Sequence, residues 1–367
     1  MNEYFYVLTT IDLLFLSLMC VLTKLSESLN RKQKRGFFLA YTLIAVISVL
    51  EVVTILVDGT AVQNRWLNIA SNYLGFGLSP AVSLCLVYVL DKKPSTRRGF
   101  RAAAVCEAVY LAVLAATLPN GMVFSVSEEN VYSRGEFFEV YVVMYFAAIV
   151  YLAISTIITA AEFQNRSRVL IYPLIVFLMV ESIIQIELPQ LHVTWLSVTL
   201  LSVLYFIYCS EMWNQLDALT GLLNQNSYLN RTAEMRRSGE VLVVFDVDDF
   251  KQVNDRYGHV KGDICLAEIA ACIKKAYARH GYCYRTGGDE FCVLLRDGDR
   301  EHACARDFVR RLDERRKELD FLPTVSFGSA ELSSENVVTV KNRADHNMYR
   351  YKKERKAHRM SGDAGEE

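Results

Sequence analysis

Hydrophobic positions follow two regimes that meet near residue 210. Before it, apolar residues run in long stretches at roughly 4–23, 37–57, 67–90, 102–118, 140–160, 169–186 and 191–209. Each approaches the ~20 residues that a helix needs to cross a bilayer. The pattern predicts a bundle of about seven transmembrane helices over 1–210. Alternate loops differ in charge. Lys24, Arg31, Lys32, Lys34 and Arg35 fall in the first, Lys92, Lys93, Arg97, Arg98 and Arg101 in the third, and Arg166 and Arg168 in the fifth. The other side has only Arg65 and Arg134, the latter among Glu128, Glu129, Glu136 and Glu139. Positive-inside asymmetry places the N-terminus outside an inner (plasma) membrane and the chain after about residue 210 in the cytoplasm, which requires an odd helix count.

After residue 210 the apolar runs shorten and alternate in type. A helix is predicted over 222–237, then a fully buried strand at Val241–Phe245 and a helix from Gly262 to about His280. The β-prone runs Tyr282-Cys-Tyr284 and Phe291-Cys-Val-Leu-Leu295 flank Gly287-Gly288-Asp289-Glu290. They predict a hairpin whose glycines supply positive φ at the turn. A basic amphipathic helix (about 300–319), a strand at Thr324–Gly328 and a last helix (about 339–356) complete an α/β domain over 215–358. An acidic tail, 359–367, is expected to be disordered. Between the two regimes, Tyr205, Cys209, Met212, Leu216 and Leu219 follow a 4-3-4-3 spacing, with no Pro or Gly over 190–220. This predicts a signalling-helix linker over 205–220 that runs unbroken out of the membrane and pairs with a second copy.

Composition agrees with a membrane protein: 52% of residues are hydrophobic and 22% charged. The net charge of −1 says little about partners, because the charges are distributed so unevenly. Nine cysteines without a Cys-x-x-Cys pair argue against a zinc site or a disulfide framework. Four acids, Asp12, Glu51, Glu107 and Glu181, lie inside apolar stretches, where a carboxylate is costly and faces the bundle interior or a cavity. Asp12, Glu51 and Glu181 fall toward the outer half. They are expected to line a pocket for a small polar or cationic ligand, or else to be internal hydrogen-bonding groups.

Two acidic sites in the second half carry candidate chemistry. Asp246 closes the strand at Val241–Phe245, and strand ends are the usual place for functional groups in α/β sheets. Asp289 and Glu290 occupy the hairpin tip, where glycines allow another molecule to approach the backbone. If the two strands are neighbours, these carboxylates form an all-oxygen donor set suited to Mg²⁺ or Mn²⁺. Such sites serve phosphoryl and nucleotidyl transfer. No P-loop consensus is present.

The motifs Asp217-Ala-Leu-Thr-Gly-Leu-Leu-Asn224, Phe245-Asp-Val-Asp-Asp-Phe-Lys-Gln-Val-Asn-Asp255, Gly258-His259, Gly262-Asp263 and Arg285-Thr-Gly-Gly-Asp-Glu-Phe291 occur in the order found in GGDEF diguanylate cyclases. Thr324–Gly328 and the run from Ala344 to Lys352 continue the resemblance, which covers 215–356 and not the membrane half. It implies a nucleotidyl-cyclase-like central sheet flanked by helices. It also implies condensation of two GTP into cyclic di-GMP and pyrophosphate by a homodimer, with two Mg²⁺ per active site. Carried onto this sequence, Asp246, the Val247 carbonyl, Asp289 and also Glu290 would hold metal, and Glu290 would assist deprotonation of the attacking hydroxyl. Asn254 and Asp263 would read guanine, with Phe250 packed beside them. Lys251, Lys352 and Lys356 would contact phosphates, and Gly287 and Gly288 would lie against substrate.

Departures limit the carry-over. The family's inhibitory Arg-x-x-Asp is replaced by Ala278 and Gly281, and Arg279 does not restore the spacing. Feedback through that site is expected to be absent. Lys356 stands where an arginine is usual and keeps the charge without the bidentate fork. Gln225 replaces a common arginine. An alternative reading is a catalytically silent GTP-binding membrane receptor or scaffold. A transporter is disfavoured, because no internal repeat or pair of broken helices is evident. No nucleic-acid partner is expected.

Overall fold

The computed structural model describes residues 2–90, 94–164, 171–187, 194–234, 239–332 and 337–363. The chain divides into two units, Met1–Asn214 and Gln215–Glu367.

Among the described residues the first unit contains seven α-helices: α1 (Asn2–Leu25), α2 (Arg31–Val57), α3 (Arg65–Leu90), α4 (Pro94–Thr117), α5 (Glu139–Glu162), α6 (Ile171–Glu187) and α7 (Thr194–Asn214). Among the described residues six are long and apolar enough to cross a membrane; α6, with 17 residues, is not among them. Most helices outrun their apolar stretches, and at α2 a capping box sets the start. The Asn30 side chain accepts from the Lys32 and Gln33 amides while Gln33 returns a bond to the Asn30 amide, so α2 begins before its apolar run. Pro80 interrupts the bonding of α3 and leaves the Phe76 carbonyl without its helical donor; Tyr110 Oη supplies one at 3.2 Å.

Sequence periodicity did not reveal the short hairpin β1 (Phe124–Val126) and β2 (Tyr132–Arg134) between α4 and α5. Its turn is held by Asn130, which is fully buried with φ 62° and donates to the Val57 carbonyl at 2.7 Å. Asp58 accepts from Asn68 and from the Tyr132 amide.

Of the three acids expected toward the outer half, Asp12 follows the alternative reading of an internal hydrogen-bonding group. Asp12 is 1% exposed and accepts from Ser48 Oγ at 2.6 Å, so it is an internal group. Glu51 is half-buried, and the Glu181 side chain lies outside the described residues. A cavity of about 70 Å³ lies elsewhere, between α3, α5, α6 and α7, and none of the three acids lines it.

The predicted continuous linker helix is corrected. α7 stops at Asn214, and Leu216 forms a β-bridge with Leu223. The Asp217–Thr220 turn explains the break, since Asp217 accepts from the Thr220 amide and hydroxyl. Tyr205, Cys209 and Met212 are buried, while Leu216 joins the core of the second unit, so the five positions form no open seam.

In the second unit, α8 (Gln225–Glu234), β3 (Val241–Val247), α9 (Phe250–Tyr257), α10 (His259–Tyr277), β4 (Gly281–Arg285), β5 (Glu290–Leu295), α11 (Glu301–Glu318), β6 (Val325–Glu331) and α12 (Val337–Asp363) follow in order. The four strands form an antiparallel sheet in the order β4-β5-β3-β6. Helices cover both faces. Val241, Val243, Phe245 and Val247 pack with α9, α10 and α11, while Leu242 and Val244 pack with α8 and α12. This two-sided burial is why β3 reads as a continuous apolar run. α12 continues to Asp363, so 359–363 are helical rather than a disordered tail, and 364–367 lie outside the described residues.

Candidate active site

The sheet register assembles the two acidic sites. β3 and β5 are neighbours, with Asp246 directly opposite Glu290. One residue further, the Val247 amide donates to the Asp289 carbonyl at 3.3 Å. On the other side of β3, Asp246 faces Ser326 of β6. Asp246 and Asp289 are half-buried and Glu290 is exposed. The two turn glycines differ from expectation, since neither has positive φ. Their use is space: a Cβ on Gly287 would meet Glu290 Oε2 at 3.2 Å, and one on Gly288 would meet nothing within 4 Å.

Lys352 reaches this centre from α12. A Cβ on Gly328 would meet the Met348 amide nitrogen at 2.2 Å, so only glycine lets the helix lie this close to β6. Lys352, one turn beyond Met348, then pairs with Asp246 and lies 3.6 Å from Asp248. Burial pushes its ammonium pKa down, but the two carboxylates outweigh burial and raise it above the usual lysine range.

Asp248 belongs to the quoted motif, yet sequence reasoning gave it no role. It is 8% exposed and fully bonded, accepting from Thr324 Oγ1 and Ser326 Oγ at 2.7 Å each. Its amide donates to the Thr324 carbonyl at 2.9 Å. The carboxylate therefore locks the chain leaving β3 onto β6 and holds Lys352 beside Asp246. The acid spacing at Asp246 and Asp248, followed by hydroxyls at Thr324 and Ser326, was the available signal.

A second group forms where α9 meets α10. Asp249, in the left-handed region at φ 53°, turns the chain from β3 into α9, a conformation that aspartate tolerates. A Cβ on Gly262 would meet Asn254 Oδ1 at 2.0 Å and Phe250 Cζ at 3.3 Å. Gly262 thus gathers Asn254 and Phe250 beside its neighbour Asp263, which is exposed. Lys251 is exposed on α9, and the Lys356 side chain lies outside the described residues. At Gly281, a side chain would meet the Leu294 carbonyl oxygen at 2.4 Å, so no aspartate fits there without moving β5.

Among the described residues no three His, Cys, Asp or Glu side chains converge as a self-sufficient metal cage. The donors present still fit a divalent cation. Asp246 and Asp248 already face one positive group, the Lys352 ammonium. Mg²⁺ commonly takes one or two carboxylates and completes its shell with water and substrate phosphates.

Residues 214–358 match the family model described as diguanylate cyclase, GGDEF domain. An uncharacterized signaling protein of Caulobacter vibrioides is 41% identical over 104 residues, covering 27% of this chain and 13% of that protein. The probable diguanylate cyclase DgcJ of Escherichia coli is 31% identical over 119 residues, covering 31% of this chain and 24% of that protein. The diguanylate cyclase DgcS of Shewanella oneidensis is 41% identical over 91 residues, covering 23% of this chain and 31% of that protein. The chain thus spans less than a third of the length of each of these relatives. Its second unit is a GGDEF domain, joined in sequence to a helical unit whose long apolar helices fit a membrane region.

Proposed function

We propose that the chain is a membrane-anchored diguanylate cyclase. It joins two GTP molecules into cyclic di-GMP with release of two pyrophosphates, at an interface between two GGDEF domains. The observation that carries this reading is the β3–β5 pairing, which brings Asp246 against Glu290 and ties Val247 to Asp289.

In this reading Asp246, the Val247 carbonyl and Asp289 would hold two Mg²⁺ or Mn²⁺ ions. When bound, such ions neutralise triphosphate charge and polarise the phosphorus under attack. Glu290, exposed and opposite Asp246, accepts the proton of the attacking 3′-hydroxyl and contributes to metal binding. Asn254 and Asp263 bind the guanine edge, where an acid accepts from the N1–H and N2–H₂ donors that adenine lacks. Lys251, Lys352 and Lys356 bind phosphates. Lys352 exchanges its carboxylate partners for phosphate oxygens and thereby frees Asp246. The exposed Gly287 and Gly288 leave room for nucleotide against the turn. The first unit crosses the membrane seven times, α6 adding one crossing to the six longer apolar helices, and places the GGDEF domain in the cytoplasm. That orientation rests on the loop charges.

The test is incubation of the detergent-purified full chain with GTP and Mg²⁺, with cyclic di-GMP measured directly. Product is expected from the wild type, and Glu290→Gln should lower its rate by about 100-fold or more. GTP binding without product would favour the silent receptor instead.

A further inference from the structure

The cavity of about 70 Å³ between α3, α5, α6 and α7 has a size and a lining that select an occupant. One water needs about 10–15 Å³ of such space, and a cavity that admits benzene measures about 150 Å³. Between them lies a molecule of roughly three to six non-hydrogen atoms. Val82 and Leu86 of α3, Ile149 and Leu152 of α5, and Val198 and Leu201 of α7 make most of the wall apolar. Water suits such a wall poorly, because each molecule needs about two to four polar partners. Among the described residues no charged side chain lines the cavity, so an ion would enter it unpaired.

The polar part of the lining is more particular. Ser79, Thr156 and Ser202 each commit their one hydroxyl hydrogen to a carbonyl of their own helix, Gly75 at 2.5 Å, Leu152 at 2.7 Å and Thr199 at 2.7 Å. Thr156 Oγ1 lies 3.2 Å from Tyr205 Oη, so the tyrosine is the donor of that pair. These four groups have only lone pairs left to offer. Ser83 differs. It lines the same cavity, is 8% exposed, and its hydroxyl makes no hydrogen bond among the described residues. A buried hydroxyl without a partner is costly, and the cavity is where a partner has room to sit.

We propose that this cavity binds a small neutral alcohol with a body of about three to five carbons. Its oxygen accepts from Ser83, its hydroxyl hydrogen goes to a lone pair on the same lining, and its carbons lie against the apolar wall. The surrounding bilayer decides between an alcohol and a hydrocarbon. An alkane is as well solvated among lipid tails as among Leu and Val, so it gains little by entering. An alcohol among the tails lacks hydrogen-bond partners and finds them here. The site lies wholly in the helical unit and does not depend on the cyclase reading.

Trp195 lines the cavity and reports on it. The full chain in phosphatidylcholine nanodiscs is titrated with 3-bromo-1-propanol, whose bromine quenches indole fluorescence. A second titration uses 1-bromopropane at matched concentration in the bilayer. The alcohol should quench part of the emission along a saturating curve, and Trp195→Phe should remove that part. The alkane should give only the linear quenching of a molecule dissolved in lipid. Ser83→Ala should weaken the saturable binding about 5- to 10-fold, the loss of one hydrogen bond. Ala153→Leu, whose larger side chain fills the cavity, should abolish it. Quenching by the alcohol that never saturates overturns the proposal, as does unchanged alcohol affinity in Ser83→Ala or Ala153→Leu. Equal saturable affinity for the alkane also overturns it, and would mark a pocket for lipid tails. Should Ala153→Leu fail to fold, Ser83→Ala and the alcohol–alkane comparison decide.

Discussion

The two units treat buried acids differently. In the GGDEF domain, Asp248 has two hydroxyl donors, one on each oxygen, and a lysine beside it. In the helical unit, Asp12 accepts from Ser48 through one oxygen, while the other, near Thr199, makes no good hydrogen bond. Glu107, 7% exposed, likewise has an oxygen without a partner. A buried polar group that is fully bonded rigidifies its surroundings, whereas one only partly bonded costs free energy and favours a rearrangement that satisfies it. The contrast teaches that the GGDEF centre is built in advance. The helical unit, in contrast, keeps carboxylates that are only partly bonded.

Substitutions can break this comparison. Asp248→Ala strands the Thr324 and Ser326 hydroxyls and removes one of the two carboxylates beside Lys352, and should lower the opening free energy of β3 amides by about 2–4 kcal/mol in hydrogen exchange. Asp12→Asn keeps an acceptor for Ser48 and removes an incompletely bonded charge. The opening free energy of α1 should change by no more than about 1 kcal/mol. Equal losses at both positions would erase the distinction between the units.

Gly262→Ala sharpens the comparison within the GGDEF domain. Its methyl group would displace Asn254, so the KM for GTP should rise by about tenfold with little change in kcat. An unchanged KM would remove Asn254 from guanine recognition. A smaller effect concerns acid stability. Burial pushes the Asp217 carboxyl up, but Thr220 and Arg285 outweigh it and hold its pKa below the usual aspartate range. Because the folded value is lowered, this contribution is present above the unfolded pKa of about 4 and is lost as pH falls through the folded one. Asp217→Asn should therefore flatten the acid limb of a stability–pH curve below about pH 4, and a curve superimposable on wild type would contradict the pairing.

Much of this was legible in the sequence because local chemistry left marks. The continuous apolar run of β3 announced a strand buried on both faces, and the acids at its end and at the hairpin tip are those that the β3–β5 register sets opposite each other. What stayed hidden depended on partners far away in sequence. Asp248 looked like one acid among three until Thr324 and Ser326 were seen to bond it. The turn glycines suggested positive φ, yet the fold uses them for space. The a/d spacing across residues 205–219 mimicked a continuous helix, because periodicity registers side-chain pattern and not the Asp217–Thr220 turn that ends it. The β1–β2 hairpin escaped notice because its strands have only three residues each and its anchor, Asn130, is polar.

The central claim is that β3–β5 pairing makes one metal-binding centre from two acidic sites distant in sequence. Mn²⁺ titration of the full chain, followed by electron paramagnetic resonance with a non-hydrolysable GTP analogue present, tests it most directly. Asp246→Asn and Asp289→Asn should each weaken Mn²⁺ binding by about tenfold or more, and the double variant should be little worse than either. Independent, additive losses, or wild-type affinity in either single variant, would contradict a shared centre.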